Sequence, residues 1–181
     1  PRTLDGSGRQ YPVIPMGLFS LASILDGKGF ETKIVNLCLK NSDEIRRLIQ
    51  TTESKIYCID LHWFVHSNGA VEIAKMCKHY HPNSFVVLGG LTATWFYKEI
   101  LASYPCVDAI VLGEAEAPLL SLVQSIGSGR KFTRLRGLAF RDGSLVKAKI
   151  QTAPPPSLDE LNFTQLSLME DWEKYVRCDL E

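Results

Sequence analysis

Three short apolar runs, each followed by a helical pattern, constrain this chain more than any other feature. Residues 55–61 (KIYCIDL), 84–88 (SFVVL) and 107–112 read as strands, the first apolar enough to be buried on both faces. Helical patterns follow over 68–80, where Ala70, Ile73, Ala74 and Cys77 recur at helical spacing, and over about 94–103 and 115–126. Such alternation with short connections is the signature of a parallel sheet covered by helices on both faces. Upstream, Pro15 suits the first turn of a helix over 16–25 that Gly27 and Gly29 stop. Residues 30–37 (FETKIVNL) read as a further strand, and Ser42 is placed to cap a helix through residues 44–50.

Beyond Arg130 the pattern changes. Residues 137–141 and 145–149 flank Asp142-Gly143, a strong hairpin signal. Ala153-Pro154-Pro155-Pro156 is a stiff linker, and the tail over 157–181 is acidic and aromatic, with a short helix expected near 166–175. The expected division is a sheet domain over 1–130, a hairpin extension over 131–152 and a linker over 153–181.

Composition narrows the partners. Lys+Arg and Asp+Glu are equal at 20 each, so no whole-molecule field favours nucleic acid or an anionic membrane. No apolar run approaches the roughly 20 residues that span a bilayer. The five cysteines are scattered, with no Cys-x-x-Cys clip for zinc or an iron–sulfur cluster, and point to a reducing, cytoplasmic setting. The chain starts at Pro1 and ends in Leu180-Glu181, so flanking sequence is expected in the natural protein.

In an open parallel sheet the ligand lies beyond the carboxyl ends of the strands. Three segments occupy such ends: Asp60 to Ser67, Gly89 to Thr94, and Gly113-Glu114-Ala115-Glu116. Gly89-Gly90 would let backbone pass close to a bulky ligand, with Thr92 and Thr94 offering hydroxyls at a helix N-terminus; the plainer reading is a tight turn capped by Thr94. His62 and His66 flank Trp63 and Phe64 but lack a third ligand for zinc, so a planar ligand stacked on Trp63 competes with a merely packed loop. Glu114 and Glu116 lie two apart, do not face one another on a helix, and suit its positive end. No phosphate-binding loop, dinucleotide fingerprint or nucleophile elbow is present, so no catalytic residue is assigned.

Pro15-Met16-Gly17-Leu18 leading into a helix, then Gly89-Gly90 with Thr92, then Gly113-Glu114-Ala115-Glu116, then residues 137–143 (GLAFRDG) occur in one order. That order resembles the N-terminal half of B12-binding-domain radical SAM proteins, the group with the anaerobic magnesium-protoporphyrin monomethyl ester cyclase-like enzymes. Leu158-Asp159-Glu160-Leu161 resembles the lead-in to their radical SAM barrel. The resemblance implies an α/β, Rossmann-like (flavodoxin-like), mostly parallel sheet. It implies cobalamin as cofactor, contacted by His62, Trp63, Gly89, Gly90, Thr92, Gly113 and Glu114. The family's [4Fe–4S] cluster and S-adenosylmethionine would belong to a radical SAM domain of the same longer chain, since its Cys-x-x-x-Cys-x-x-Cys motif is absent here. This segment alone is then expected to be inactive.

Two departures accompany the resemblance. Asp60-Leu61-His62 begins like an Asp-x-His-x-x-Gly cobalt-ligand motif, but Val65 stands where the glycine belongs. The family's first strand, which should precede the Pro15 helix, has no strand-like counterpart, and the exposed sheet edge this leaves would favour a homodimer. The alternative expectation is a non-catalytic Rossmann-like interaction module that binds no cobalamin.

Overall fold

A computed structural model describes residues 14–150 and 157–176. Residues 1–13, 151–156 (which include the expected Ala153–Pro156 linker) and 177–181 lie outside the described part. Helix α1 (Met16–Asp26) ends where Gly29 takes a φ of 81° and the Phe30 amide donates back to Leu25 O. Helix α2 (Ser42–Thr51) is capped by Asn41 rather than Ser42. Asn41 Oδ1 accepts from the amides of Asp43 and Glu44, both at 3.0 Å, while Glu44 Oε2 accepts from the Asn41 amide. This reciprocal box satisfies more orphan amides than a serine one position later could.

Strand β1 (Ile56–Asp60), helix α3 (Ser67–Tyr80), strand β2 (Phe85–Gly89), helices α4 (Leu91–Trp95) and α5 (Tyr97–Ser103), strand β3 (Ala109–Val111) and helix α6 (Glu116–Gly127) then follow. The single helix expected near 94–103 starts earlier and is broken at Phe96 into α4 and α5. Strands β4 (Leu138–Asp142) and β5 (Leu145–Lys149) form the expected hairpin, with Gly143 at a φ of 61°. A short α7 (Glu173–Val176) and a single 3-10 turn, Leu166–Leu168, stand in place of the tail helix.

The sheet order is β1-β2-β3-β4-β5, with β1, β2 and β3 parallel and β4 and β5 antiparallel. The hairpin therefore does not hang off the domain. It extends the sheet, with Ile110 opposite Ala139. Alternate side chains explain the layers. Val86, Leu88, Ile110 and Ala139 face one cluster with Ile45, Ile49, Ala74 and Leu101 from α2, α3 and α5. Val87, Ala109, Val111, Leu138 and Phe140 face the other, with Leu119, Leu122 and Val123 from α6. Each large aliphatic side chain so buried contributes about 2 kcal/mol of transfer free energy.

Residues 30–37 do not form the expected strand. Ile34 makes one isolated parallel bridge to Met169, its amide donating to Leu168 O at 2.7 Å. The alternation is nevertheless real: Ile34 is buried with α1 and the tail, whereas Leu37 packs against the α2–α3 cluster. A strand needs a neighbouring edge as well as a pattern, and among the described residues β1 pairs only with β2.

Candidate functional site

The carboxyl ends of β1 and β2 continue their ladder one step further, with the Leu61 amide donating to Gly89 O at 2.8 Å. Gly90 then turns the chain with a φ of 100° and ψ of 173°, a conformation open to glycine and strained for other residues. A β-carbon there would lie 2.8 Å from Leu61 C and 2.9 Å from His62 N. The glycine is thus required by the close approach of two strand-end loops within the protein. Gly89 differs: its β-carbon would meet only Val111 Cβ, at an ordinary 3.9 Å.

Helix α4 starts at once and is sewn into its neighbours. The Ala93 amide donates to Leu61 O at 3.2 Å, and the Thr92 amide to His62 O at 3.3 Å. Thr92 Oγ1 donates to the same His62 oxygen at 2.9 Å, and Thr92 is buried. On the other side Thr94 Oγ1 accepts from the Gly113 amide at 3.1 Å. The groups read from sequence as offered to a ligand are therefore engaged with protein: both hydroxyls, and the amides of Thr92 and Ala93.

What faces outward is apolar. Trp63 is 63% exposed and Trp95 79%, and Phe64, Val65, Leu91 and Phe96 are also exposed. Phe64 and Phe96 approach with ring centroids 5.7 Å apart, joining the β1 loop to the α4–α5 break. The half-buried His62 ring meets Trp63 edge-on, at 5.0 Å. Gly113, at a φ of 69°, has open space where a β-carbon would go, and Glu114 beside it is exposed. Of the residues expected at the site, His62, Gly89, Gly90, Thr92 and Gly113 are linked by the contacts above into one floor, and Trp63 stands on its rim. Leu91, Trp95 and Phe96 join this rim although no sequence motif marks them. The signal was there in part: Leu91 and Trp95 are large apolar residues four apart on a helix whose inward position is Ala93.

Two titratable groups at the end of β1 are perturbed. Burial raises the Asp60 carboxyl above its ordinary value, with His62 and His66 opposing the shift. Burial lowers the His66 imidazole, with Asp60 opposing, and His66 Nδ1 is buried with no hydrogen-bond partner among the described residues. Among the described residues no group of three or more His, Cys, Asp or Glu side chains could hold a metal ion. Cys77 is buried against the sheet, and burial pushes its thiol up to about 12, which makes it a core residue without nucleophilic character.

An open, apolar-rimmed platform on the carboxyl ends of parallel strands is the setting in which this architecture binds ligands. The sequence profile of the B12 binding domain matches residues 5–123. The chain belongs to that family. An anaerobic magnesium-protoporphyrin IX monomethyl ester cyclase of Rubrivivax gelatinosus is 29% identical over 171 residues, covering 90% of this chain and 30% of that protein. The radical S-adenosylmethionine methyltransferase TsrM of Kitasatospora setae, solved with cobalamin and a [4Fe-4S] cluster bound, superposes with a TM-score of 0.69 at 16% identity, over 83% of this chain and 28% of that one. The cobalamin-dependent radical enzyme OxsB, solved with aqua-cobalamin, superposes with a TM-score of 0.70 at 18% identity, over 88% and 23%. These two likenesses establish the Rossmann-like fold of the B12-binding family. The chain spans at most 32% of the length of the curated relatives it matches. Among the described residues no helix is long and apolar enough to cross a membrane.

Proposed function

We propose that this B12-binding domain holds cobalamin across the carboxyl ends of β1, β2 and β3, for chemistry performed by a radical SAM domain in a longer polypeptide. The observation that carries the reading is the strand-end platform: a floor tied by hydrogen bonds, open above Gly113 and rimmed by exposed aromatic side chains. The fit to a corrin is chemical. A large macrocycle whose rim carries both methyl groups and amide side chains needs apolar area, which Trp63 and Leu91 offer, and backbone free of side chains, which Gly89 and Gly113 offer. His62 and Glu114 add polar contacts at the edge, while Gly90 and Thr92 serve the floor from beneath. When bound, cobalamin supplies a cobalt centre able to carry a methyl group. This chain's own residues bind and orient the cofactor and keep water from its protein-facing side.

In this reading residues 1–130 are the cofactor domain and residues 153–181 lead toward the [4Fe–4S] and S-adenosylmethionine domain, in a cytoplasmic protein. Among the described residues β1 pairs on one side only, which supports self-pairing of two copies along that edge. Sedimentation at increasing concentration tests the dimer. The cofactor is tested by titration with hydroxocobalamin, following the visible spectrum and the colour retained after desalting. Saturable one-to-one binding is expected, weakened about tenfold by Trp63→Ala through loss of stacking area. Absence of binding sinks the reading in favour of a cofactor-free interaction module.

A further inference from the structure

We propose that Thr92 and Thr94 are positioning residues that hold the three strand-end loops in their ligand-ready arrangement, a proposal that rests on the cofactor reading above. The argument begins with α4, a helix of five residues, Leu91–Trp95. Successive helical positions turn by about 100°, so positions two apart point to nearly opposite sides. Thr92 and Thr94 accordingly reach in different directions, one hydroxyl to His62 O on the β1 loop and the other to the Gly113 amide on the β3 loop. Leu91 and Trp95, four apart, share the outward side and are exposed, while Ala93 is fully buried beneath. One turn of helix therefore joins the middle loop to both of its neighbours.

The two ties differ in what surrounds them: the one to His62 reinforces backbone bonds already made there, and the one to Gly113 stands more alone. His62 O receives both the hydroxyl and the amide of Thr92, the amide at a long 3.3 Å. Beyond Leu112, whose amide donates to Gly137 O at 2.8 Å, the chain reaches Gly113, with positive φ and open space around its missing β-carbon. The Thr94 hydroxyl is the hydrogen-bond partner of its amide. A loop tied in place before the ligand arrives loses less entropy on binding. The hydroxyls thus act on affinity through the loops and without touching the cofactor.

The test uses Thr92→Val and Thr94→Val, which keep the side-chain shape and remove the hydroxyl, with Thr92→Ser and Thr94→Ser as restoring variants. Hydroxocobalamin is titrated into each, and amide hydrogen exchange at Gly113 is followed in the cofactor-free proteins. Each valine variant is expected to weaken binding about fivefold, the worth of one hydrogen bond, and each serine variant to restore it to within about twofold. Thr94→Val is expected to speed Gly113 exchange about tenfold, with Thr94→Ser returning it to the wild-type rate. Unchanged affinity in both valine variants overturns the proposal, as does failure of serine to restore binding or an unaltered Gly113 exchange rate in Thr94→Val. If wild-type protein binds no hydroxocobalamin, the cofactor reading itself fails. The exchange rate, read without cofactor, then still decides whether Thr94 tethers the third loop.

Discussion

The two ends of the sheet are held together by different chemistry. At the amino end the ties are ionic. Asp108 Oδ2 accepts from the Val86 amide and from Lys78 Nζ, each at 2.7 Å, and Lys78 also donates to Ser84 O. Arg141 of β4 donates to Leu101 O at 2.9 Å and to Val107 O, clamping the turn between α5 and β3. The surface there is polar, a shallow hollow lined by Glu53, Lys55, His81 and Asn83. At the carboxyl end the ties are neutral, made by amides, carbonyls and two threonine hydroxyls, and the surface above them is aromatic. A structural end can spend charges on its own backbone. On the proposed reading neutral ties suit the carboxyl end, because stripping water from charged groups under a bound macrocycle would cost more than neutral hydrogen bonds do.

The largest test of this comparison is Gly90→Ala. The substituted β-carbon meets Leu61 backbone at 2.8 Å in a left-handed conformation, so a loss of roughly 3 kcal/mol in denaturant unfolding is expected. Gly113→Ala, also at positive φ but with open space, should cost only about 1 kcal/mol. Equal losses at the two positions would remove the distinction between a glycine demanded by loop contact and one with open space around it. Asp108→Ala comes next, at about 2 kcal/mol, since it leaves the Val86 amide and the Lys78 ammonium without their shared acceptor. Its effect should shrink in Asp108→Asn, which keeps an oxygen for the Val86 amide.

Trp95→Ser should leave stability within about 0.5 kcal/mol of wild type, because an exposed ring contributes little to folding. A large loss would show the aromatic rim to be structural. The smallest expected effect concerns pH. Burial lowers the folded-state pKa of His66, so the fold favours its neutral form. That contribution is complete above the unfolded value of about 6.5 and is lost as pH falls below it. The melting temperature of wild type should therefore drop more between pH 7.5 and 5.5 than that of His66→Gln. Asp60 works in the opposite sense, since its raised pKa makes ionisation unfavourable in the fold. Its contribution is complete below its ordinary value and is lost as pH rises through the raised one.

Much of this was legible in the residues. The three parallel strands, the helices α1, α2, α3 and α6, and the hairpin at Asp142-Gly143 follow from periodicity and turn chemistry that act over neighbouring residues. The grouping of three loops at one edge of the sheet follows as well, since strand–helix alternation dictates which loops lie at the carboxyl edge. Residues 30–37 show the limit: Ile34 packs with α1 and the tail and Leu37 with the α2–α3 cluster, yet a ladder depends on an edge that no local pattern supplies. The role of Gly90 shows another. A double glycine announces that something comes close, but whether that is ligand or backbone depends on where Leu61 and His62 lie.

Local sequence determined the class of fold, the order of its elements and the loops that meet at the carboxyl end of the sheet, because helix and strand periods are written in adjacent residues. Only the tertiary structure decided that the hairpin joins the sheet, that Thr92 and Thr94 reach different loops, and that Trp63, Leu91 and Trp95 face solvent together. Those outcomes depend on contacts between residues about 20 to 30 positions apart, and such contacts form only once the sheet has brought the strand ends side by side.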